Sequence, residues 1–497
     1  MSSLVPPRLL DLAGRSLVRA EAVAIAAVDL LPVELFPPLL KAAVDGRHRG
    51  VLRALVQAWP LPLLPLGALV REQQCHQATL LMAALSGLEA LLAEKVRPRR
   101  CKLQVLDLRA DCHQDFWATW AGVSVTRPLL ELEAELPVVK RQRVEGPGPG
   151  ARWFRAPVEV LMNVRLDIAV PDQFLTALLE KVRWGRGLLR LCCKKVQVVS
   201  MPVPIVERVL KTVQLHSIQN LEMNCTWPLV TLSRFAPFLG QMVNLRRFLL
   251  CHLQVLPSRP LRAREEPYVY RFASQFIGLQ RLRELRFDCI SFLEGRLQQV
   301  LRCLNSPLET LSITNCVLVE SDLVHLSLCP NTGQLKDLSL SGVNLTSLRT
   351  GPLRVLLERV SATLQDLDLD ECGIVDAQFR SILPSLSRCS QLRTFSFCGN
   401  FVSGDALESL LWHTAGLPHM DHTLYPAPLE TYEHGTGLLH LERLALLHAR
   451  LMRILREVGR PGRIWFSATL CPQCGDRTFY DPNPIQCPCY MPAQPEA

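Results

Sequence analysis

Leucines and their apolar substitutes recur along this chain as L-x-x-L-x-L-x-x-C/N-x-L. The pattern is cleanest at LETLSITNCVL (308–318), LKDLSLSGVNL (335–345), LQDLDLDECGI (364–374) and LRTFSFCGNFV (392–402). These copies start at Leu308, Leu335, Leu364 and Leu392, so they lie 27, 29 and 28 residues apart. That is the period of the long leucine-rich repeats. The L-x-L centre of each copy predicts a short strand whose alternate residues face inward. The Cys or Asn five residues after the second leucine is expected to close the turn that follows. Looser copies at 103–111, 188–198, 218–226, 245–253 and 282–290 extend the array upstream. Between strands, PLRVLLERV (352–360) and ALESLLWH (406–413) space their apolar residues by three and four, which predicts helices. No repeat buries its own apolar face, so neighbours must stack. The predicted fold is α/β: a curved leucine-rich repeat solenoid with a parallel sheet on its concave face and helices on its convex face.

The array has edges and interruptions. Residues 1–70 read as an N-terminal helical segment, 71–417 as the solenoid, and 418–497 as a helix (438–459) followed by a cysteine-bearing tail. Pro- and Gly-rich 128–157 and charged 257–267 read as loop insertions. Composition agrees with one long apolar core, since 48% of the residues are hydrophobic and only 20% charged, too apolar for a disordered chain. Lys and Arg number 55 against 46 acidic residues, and the net +9 is too diffuse over 497 residues to be a nucleic-acid footprint. With no recognition helix carrying interleaved aromatics, direct nucleic-acid binding is not expected.

Many of the 18 cysteines (Cys192, Cys193, Cys289, Cys316 and Cys372 among them) fall inside leucine-rich segments. They read as small buried hydrophobes kept reduced. Arg8, Asp11, Arg15 and Arg19 leave no uncharged signal core near the N-terminus. The longest apolar runs, 22–28 and 61–70, fall short of the roughly 18 residues a membrane span needs. A soluble intracellular protein is expected.

Candidate chemistry is sparse. No phosphate-binding glycine loop, metalloprotease helix or nucleophile with local context is present, so the expectation is a scaffold and not an enzyme, with no cofactor required. Outward strand positions of early repeats offer Arg190, Lys194, Lys195, Arg246 and Arg247, and a late repeat offers Asp366, Asp368, Asp370 and Glu371. Together they predict a concave substrate face graded from basic to acidic, able to steer a protein partner. The alternative is that exposed strand positions are simply polar. In the tail, Cys471, Cys474, Cys487 and Cys489 (C-x-x-C, twelve residues, C-x-C) have a spacing that can hold one structural zinc. Four L-x-x-L-L matches (88–92, 175–179, 353–357, 407–411) are expected to be repeat helices facing inward.

Residues 30–67, 96–109, 189–196, 307–316 and 471–492 closely resemble the PRAME family of leucine-rich repeat proteins, and the likeness runs end to end. The resemblance implies a substrate receptor of a cullin-2 RING ubiquitin ligase, assembled with elongin B/C, cullin-2 and a RING subunit. It also implies a nuclear repressor of retinoic acid receptor signalling, with some cytoplasmic protein. Elongin C receptors carry small-Leu-x-x-x-Cys-x-x-x-aliphatic, and Leu9, Ala13 and Leu17 fit that register, with Arg8 and Ala13 departing from the small residue and the cysteine. A register starting at Ser16 would put Glu21 in the cysteine slot. The cullin-2 pattern, aliphatic-Pro-x-x-aliphatic-x-x-x-aliphatic, fits Leu31, Pro32, Leu35 and Leu39. The structural alternative for both is a cap over the open end of the solenoid. The family's nuclear-receptor contact aligns with Leu451, Ile454 and Leu455, where isoleucine replaces a leucine. The KRQRV cluster (140–144) reads as an import signal. The rival implication is a ligase-independent corepressor bridging a nuclear receptor to chromatin-silencing proteins.

Overall fold

The structure is a computed structural model that describes residues 9–71, 76–94, 98, 100–110, 117, 157–169, 172–185, 187–253, 262–420, 422–433, 439–459, 464–470, 477–481 and 483–485. It divides into two compact units, 1–196 with 204–217, and 197–203 with 218–497. The chain passes from the first to the second inside the strand β4 (Leu189–Val199).

The first unit opens with four helices: α1 (Leu9–Arg19), α2 (Glu21–Ala27), α3 (Phe36–Asp45) and α4 (Arg49–Gln57). Phe36 and Trp59 meet edge to face at 6.1 Å in their core, and the Trp59 indole N–H donates to the Leu63 carbonyl. The Gly50 amide donates to the Glu21 carboxylate, tying α2 to α4. Strands β1 (Leu63–Pro65), β2 (Val105–Asp107) and β3 (Val158–Asp167) then pair in parallel, with helices α5 (Leu66–Arg71) and α6 (Gln77–Ala93) between the first two. The expected edge at residue 70 falls inside α5.

The second unit is a leucine-rich repeat stack. Its strands run in chain order: β5 (Asn220–Asn224), β6 (Arg247–Leu253), β7 (Glu284–Ile290), β8 (Thr310–Thr314), β9 (Asp337–Ser339), β10 (Asp366–Asp368), β11 (Thr394–Ser396), β12 (His422–Pro426) and β13 (Trp465–Leu470). Every neighbouring pair is parallel. Leu221, Phe248, Leu285, Leu311, Leu338, Leu367 and Phe395 fall in one register row, all buried, as the L-x-L pattern predicts. The returning helices Glu320–Leu328, Gly351–Val360, Asp376–Leu386 and Gly404–Thr414 pack each against the next. The L-x-x-L-L leucines 353, 356, 357, 407, 410 and 411 all lie buried in them.

Two features of the repeat explain its consensus. Immediately after the strand turn, His252, Cys289, Asn315, Gly342, Glu371 and Gly399 all hold a positive φ between 51° and 72°. Glycine adopts that conformation without cost and other residues with strain. The ladder residue then reaches back to the preceding repeat. The Asn400 amide donates to the Leu369 and Phe397 carbonyls while its oxygen accepts from the Ile374 amide. The Cys372 thiol faces the Leu340 carbonyl at 3.2 Å, and Cys316 Sγ accepts from the Ile290 amide. The repeat that starts at Leu335 departs from the expected Cys or Asn: Val343 takes the position, fully buried, and fills it by packing alone.

Three expectations change at the edges. The sheet continues beyond 417 through β12 and β13, where Thr423 and Tyr425 occupy the inward positions in place of leucines. It ends in two antiparallel strands, β14 (Arg477–Asp481) and β15 (Asn483–Ile485). The charged segment 257–267 is not all loop, because Arg262 to Pro267 form the first turns of the helix Arg262–Ala273. Its run of Arg and Glu is helix-forming, and Pro267, inside the helix, removes the one bond its missing N–H would have made. Residues 257–261, and all of 128–157 except Pro157, lie outside the described residues.

Candidate functional site

The N-terminal helices hold the first candidate surface. In α1, Val18 is buried and Gly14 lies against the Ala42 side chain of α3, so this side of the helix is occupied. The other side is open. Leu9 is 85% exposed, Leu12 and Ala13 are exposed, and Leu17 is half-buried. Residues 9, 12, 13 and 16 share a helical face, and all four are solvent-facing. The exposure continues through Val23 and Ile25 of α2 to Leu30, which is 80% exposed, and Val33. Leu31 and Leu35 are half-buried and Pro32 is exposed, with Leu31 held by its carbonyl, which accepts from Arg100. Leu39 does not join them. It is 3% exposed in α3, inside the unit's own core, so it shapes this surface from beneath and offers no contact. Arg8 lies outside the described residues.

The second candidate is the outward face of the strands. In the first unit, Arg190 and Lys194 are exposed and Lys195 is half-buried on the strand Leu189–Val199. In the second unit, Arg246 and Arg247 are exposed, but Arg247 pairs with Glu284 at 2.9 Å, and Glu284 also holds Arg286 at 2.6 Å. The basic character there is therefore partly neutralised. The acidic end divides by role. Asp366 stands beside Asp337 in the neighbouring strand. Burial and this second carboxylate push the Asp337 carboxyl up. Asp368 accepts from the Ser339 hydroxyl and the Asp370 amide. Asp370 is a fastener, accepting from the Ser396 hydroxyl and the Cys398 amide of the next repeat. Glu371 sits exposed at the left-handed turn position. Glu284, Arg286, Asp288 and Asp337 belong to this face and were missed from sequence. Aligning the repeats would have exposed them in three columns: the position before L-x-L (Glu284, Asp337), its x (Arg286) and the position after it (Asp288).

The third candidate is closed. Leu451, Ile454 and Leu455 lie on the helix Leu441–Glu457 and are 0%, 8% and 4% exposed. The helix packs against Gly404–Thr414, where the Leu447 side chain closes on Gly404. The apolar triad expected to meet a receptor is the last repeat's own core. The tail cysteines Cys471, Cys474, Cys487 and Cys489, and the basic cluster 140–144, lie outside the described residues. Many of the described cysteines in the repeats are buried, and burial pushes the Cys316, Cys372 and Cys389 thiols up to about 12. No helix among the described residues is long and apolar enough to cross a membrane.

One parallel strand per repeat, a Cys/Asn ladder and helices packed neighbour to neighbour define a leucine-rich repeat protein. Its sequence matches the PRAME N-terminal domain over 6–117 and the PRAME C-terminal domain over 158–489. PRAME family member 12 of Homo sapiens is 48% identical over 489 residues, 98% of this chain and 98% of that protein. PRAME family member 20 of Homo sapiens is 45% identical over 490 residues, 98% of this chain and all of that protein. The chain belongs to the PRAME family. A crystal structure of an internalin from Listeria monocytogenes aligns with 54% of this chain and 67% of its own at 15% identity. The TM-score of that alignment is 0.30.

Proposed function

We propose that this protein is the substrate-recognition subunit of a cullin-2 RING ubiquitin ligase. In this reading the open face of α1 (Leu9, Ala13, Leu17) docks elongin C, which brings elongin B. The segment from Leu31 to Leu35 meets cullin-2, which brings the RING subunit. The outward strand face presents a protein substrate, and the work goes on in the nucleus and the cytoplasm. The protein's contribution is positional, since chemistry is done by other subunits. The observation that carries the reading is the run of exposed apolar side chains from Leu9 to Val33 on helices whose other sides are packed. A capping segment alone would turn those side chains inward.

The corepressor reading loses its surface, because Leu451, Ile454 and Leu455 are buried. Repression of retinoic acid receptor signalling, on this proposal, acts through ubiquitination or another face. The test is recovery of elongin C and cullin-2 from cells by the intact chain and by Leu9→Ala with Pro32→Ala. Both residues are exposed, so the variant keeps its fold. The double variant is expected to lose both partners; full recovery of cullin-2 would end the adaptor assignment.

A further inference from the structure

Where β6 and β7 end, three different metal-binding side chains converge. Cys251 and Asp288 are register partners on adjacent strands, and His252 follows Cys251 at the strained turn position. One ligand atom from each of Cys251, His252 and Asp288 lies within 4.8 Å of the others. We propose that Cys251, His252 and Asp288 form a zinc-type divalent metal site on the repeat stack.

The donor orientations support it. His252 Nδ1 pairs with Asn224 Oδ1 at 3.1 Å, leaving Nε2 towards Asp288 Oδ2 at 3.9 Å. Asp288 Oδ1 accepts from the Thr314 hydroxyl at 2.7 Å and the Asn315 amide at 2.8 Å. His252 and Asp288 thus each have the far atom held by a neighbouring side chain, which is how second-shell partners aim a metal ligand. Ligands about 2.0–2.3 Å from a tetrahedral ion stand roughly 3.3–3.7 Å apart. The 3.9 Å between His252 Nε2 and Asp288 Oδ2 needs only a small contraction, and the set as a whole, spread over no more than 4.8 Å, a larger one.

Chemistry selects the metal. A thiolate, an imidazole and a carboxylate make a borderline set that suits zinc and disfavours magnesium and calcium, which take oxygen ligands. Binding replaces the Cys251 S–H bond with S–metal and releases one proton to solvent. Thiolate and carboxylate together then balance the dication, with neutral His252 as third ligand. Three protein ligands leave a fourth position for water. His252 and Asp288 are 52% and 24% exposed, so that position opens on the strand face.

The test is cobalt titration of the full, reduced, chelator-stripped chain. His252→Gly is the informative variant, because glycine accepts the positive φ of 58° and the turn stays intact. The wild-type chain is expected to take up one more equivalent than His252→Gly. Cys251→Ser should remove the thiolate-to-cobalt charge-transfer band of that equivalent. Asn224→Ala should keep the stoichiometry and weaken affinity by about 10–100-fold. Any metal on the tail cysteines contributes equally to every chain. Equal stoichiometry and affinity in wild type and His252→Gly would overturn the site, as would an unaltered charge-transfer band in Cys251→Ser.

Discussion

Asn400→Ala isolates what a ladder residue contributes. Asn400 is buried, and its side chain makes three short bonds to backbone groups, with the Ile374 N–H at 2.9 Å and the Leu369 and Phe397 carbonyls at 2.8 and 2.7 Å, and a longer one to the Cys398 carbonyl at 3.5 Å. Stranding a buried N–H costs about 1–3 kcal/mol, and each carbonyl about 1 kcal/mol more, so the loss is about 3–5 kcal/mol. Repeat stability is built from neighbour terms, so the damage should stay local. Hydrogen–deuterium exchange reads this directly, since a loss of about 3 kcal/mol speeds exchange by opening roughly a hundredfold. Peptides from 364–402 should accelerate, while peptides from 36–57 in the first unit stay unchanged. Asn400→Asp adds a sign test. It keeps an acceptor for Ile374 but sets a carboxylate against two carbonyl oxygens, which raises its folded-state pKa. Its stability is therefore greatest below the ordinary carboxylate range and falls as pH rises through the folded value. Unchanged protection at 364–402 in Asn400→Ala, or equal acceleration in 36–57, would refute the ladder account.

Three further outcomes follow from the same geometry. Gly342→Ala should destabilise the second unit by about 1–2 kcal/mol from its left-handed φ, with a further cost because the new Cβ would meet Asn315 Oδ1 at 2.2 Å; Cys289→Gly at the equivalent turn should be neutral or stabilising by up to about 1 kcal/mol, both read by calorimetry. Leu451→Ala should cost about 2–5 kcal/mol and unprotect the last repeats, whereas exposed Leu9→Ala should stay within about 0.5 kcal/mol, as denaturant midpoints will report. Burial lifts the Cys389 thiol from 9.0 to about 12, so its contribution is full below pH 9 and lost as pH rises towards 12; between those values the intact chain should lose up to about 1.4 kcal/mol per pH unit more than Cys389→Ala, measured by urea unfolding.

The repeats were legible because one constraint wrote the same letters many times. Each strand must bury two alternate residues, so L-x-L recurs wherever leucine or phenylalanine fills those places. β12 escaped because Thr423 and Tyr425 fill them, with Tyr425 meeting Phe466 of β13 at 6.3 Å. The helix at 262 escaped because its charges and Pro267 read as loop. Val343 shows that the ladder position tolerates a residue with no polar group when packing suffices. The strand face was only partly legible. Charge was visible in the letters, but not that Asp370 is occupied by Ser396 and Cys398 while Asp366 is set beside Asp337. The Cys251, His252 and Asp288 cluster was invisible, since its members sit 36 residues apart by number (252 to 288) and meet only through strand register.

The two amphipathic helices that the family resemblance singled out differ in a way no letter pattern records. α1 and Leu441–Glu457 each carry leucines at helical spacing, and each could serve as core or as contact. What decides is whether the chain supplies the opposing surface. For Leu441–Glu457 it does, through the neighbouring helix Gly404–Thr414, and the triad at 451–455 is consumed. For α1 and the segment after it, the described residues cover the side that carries Val18, while Leu9, Leu12, Val23, Ile25, Leu30 and Val33 stay exposed. Burying one such side chain fully gives about 1.5–3 kcal/mol, so covering these six releases on the order of 5 kcal/mol or more even when burial is partial. Association must first overcome lost rigid-body freedom of about 4–15 kcal/mol, so the apolar face alone makes a weak contact. A two-site arrangement, α1 for one partner and the Leu31–Leu35 segment for the next, lets those partners hold one another as well as this chain, which raises the effective concentration of each. Leu9→Ala alone should then weaken recovery of the complex less than Leu9→Ala with Pro32→Ala does. Identical loss in the single and double variants would show that one face does all the binding.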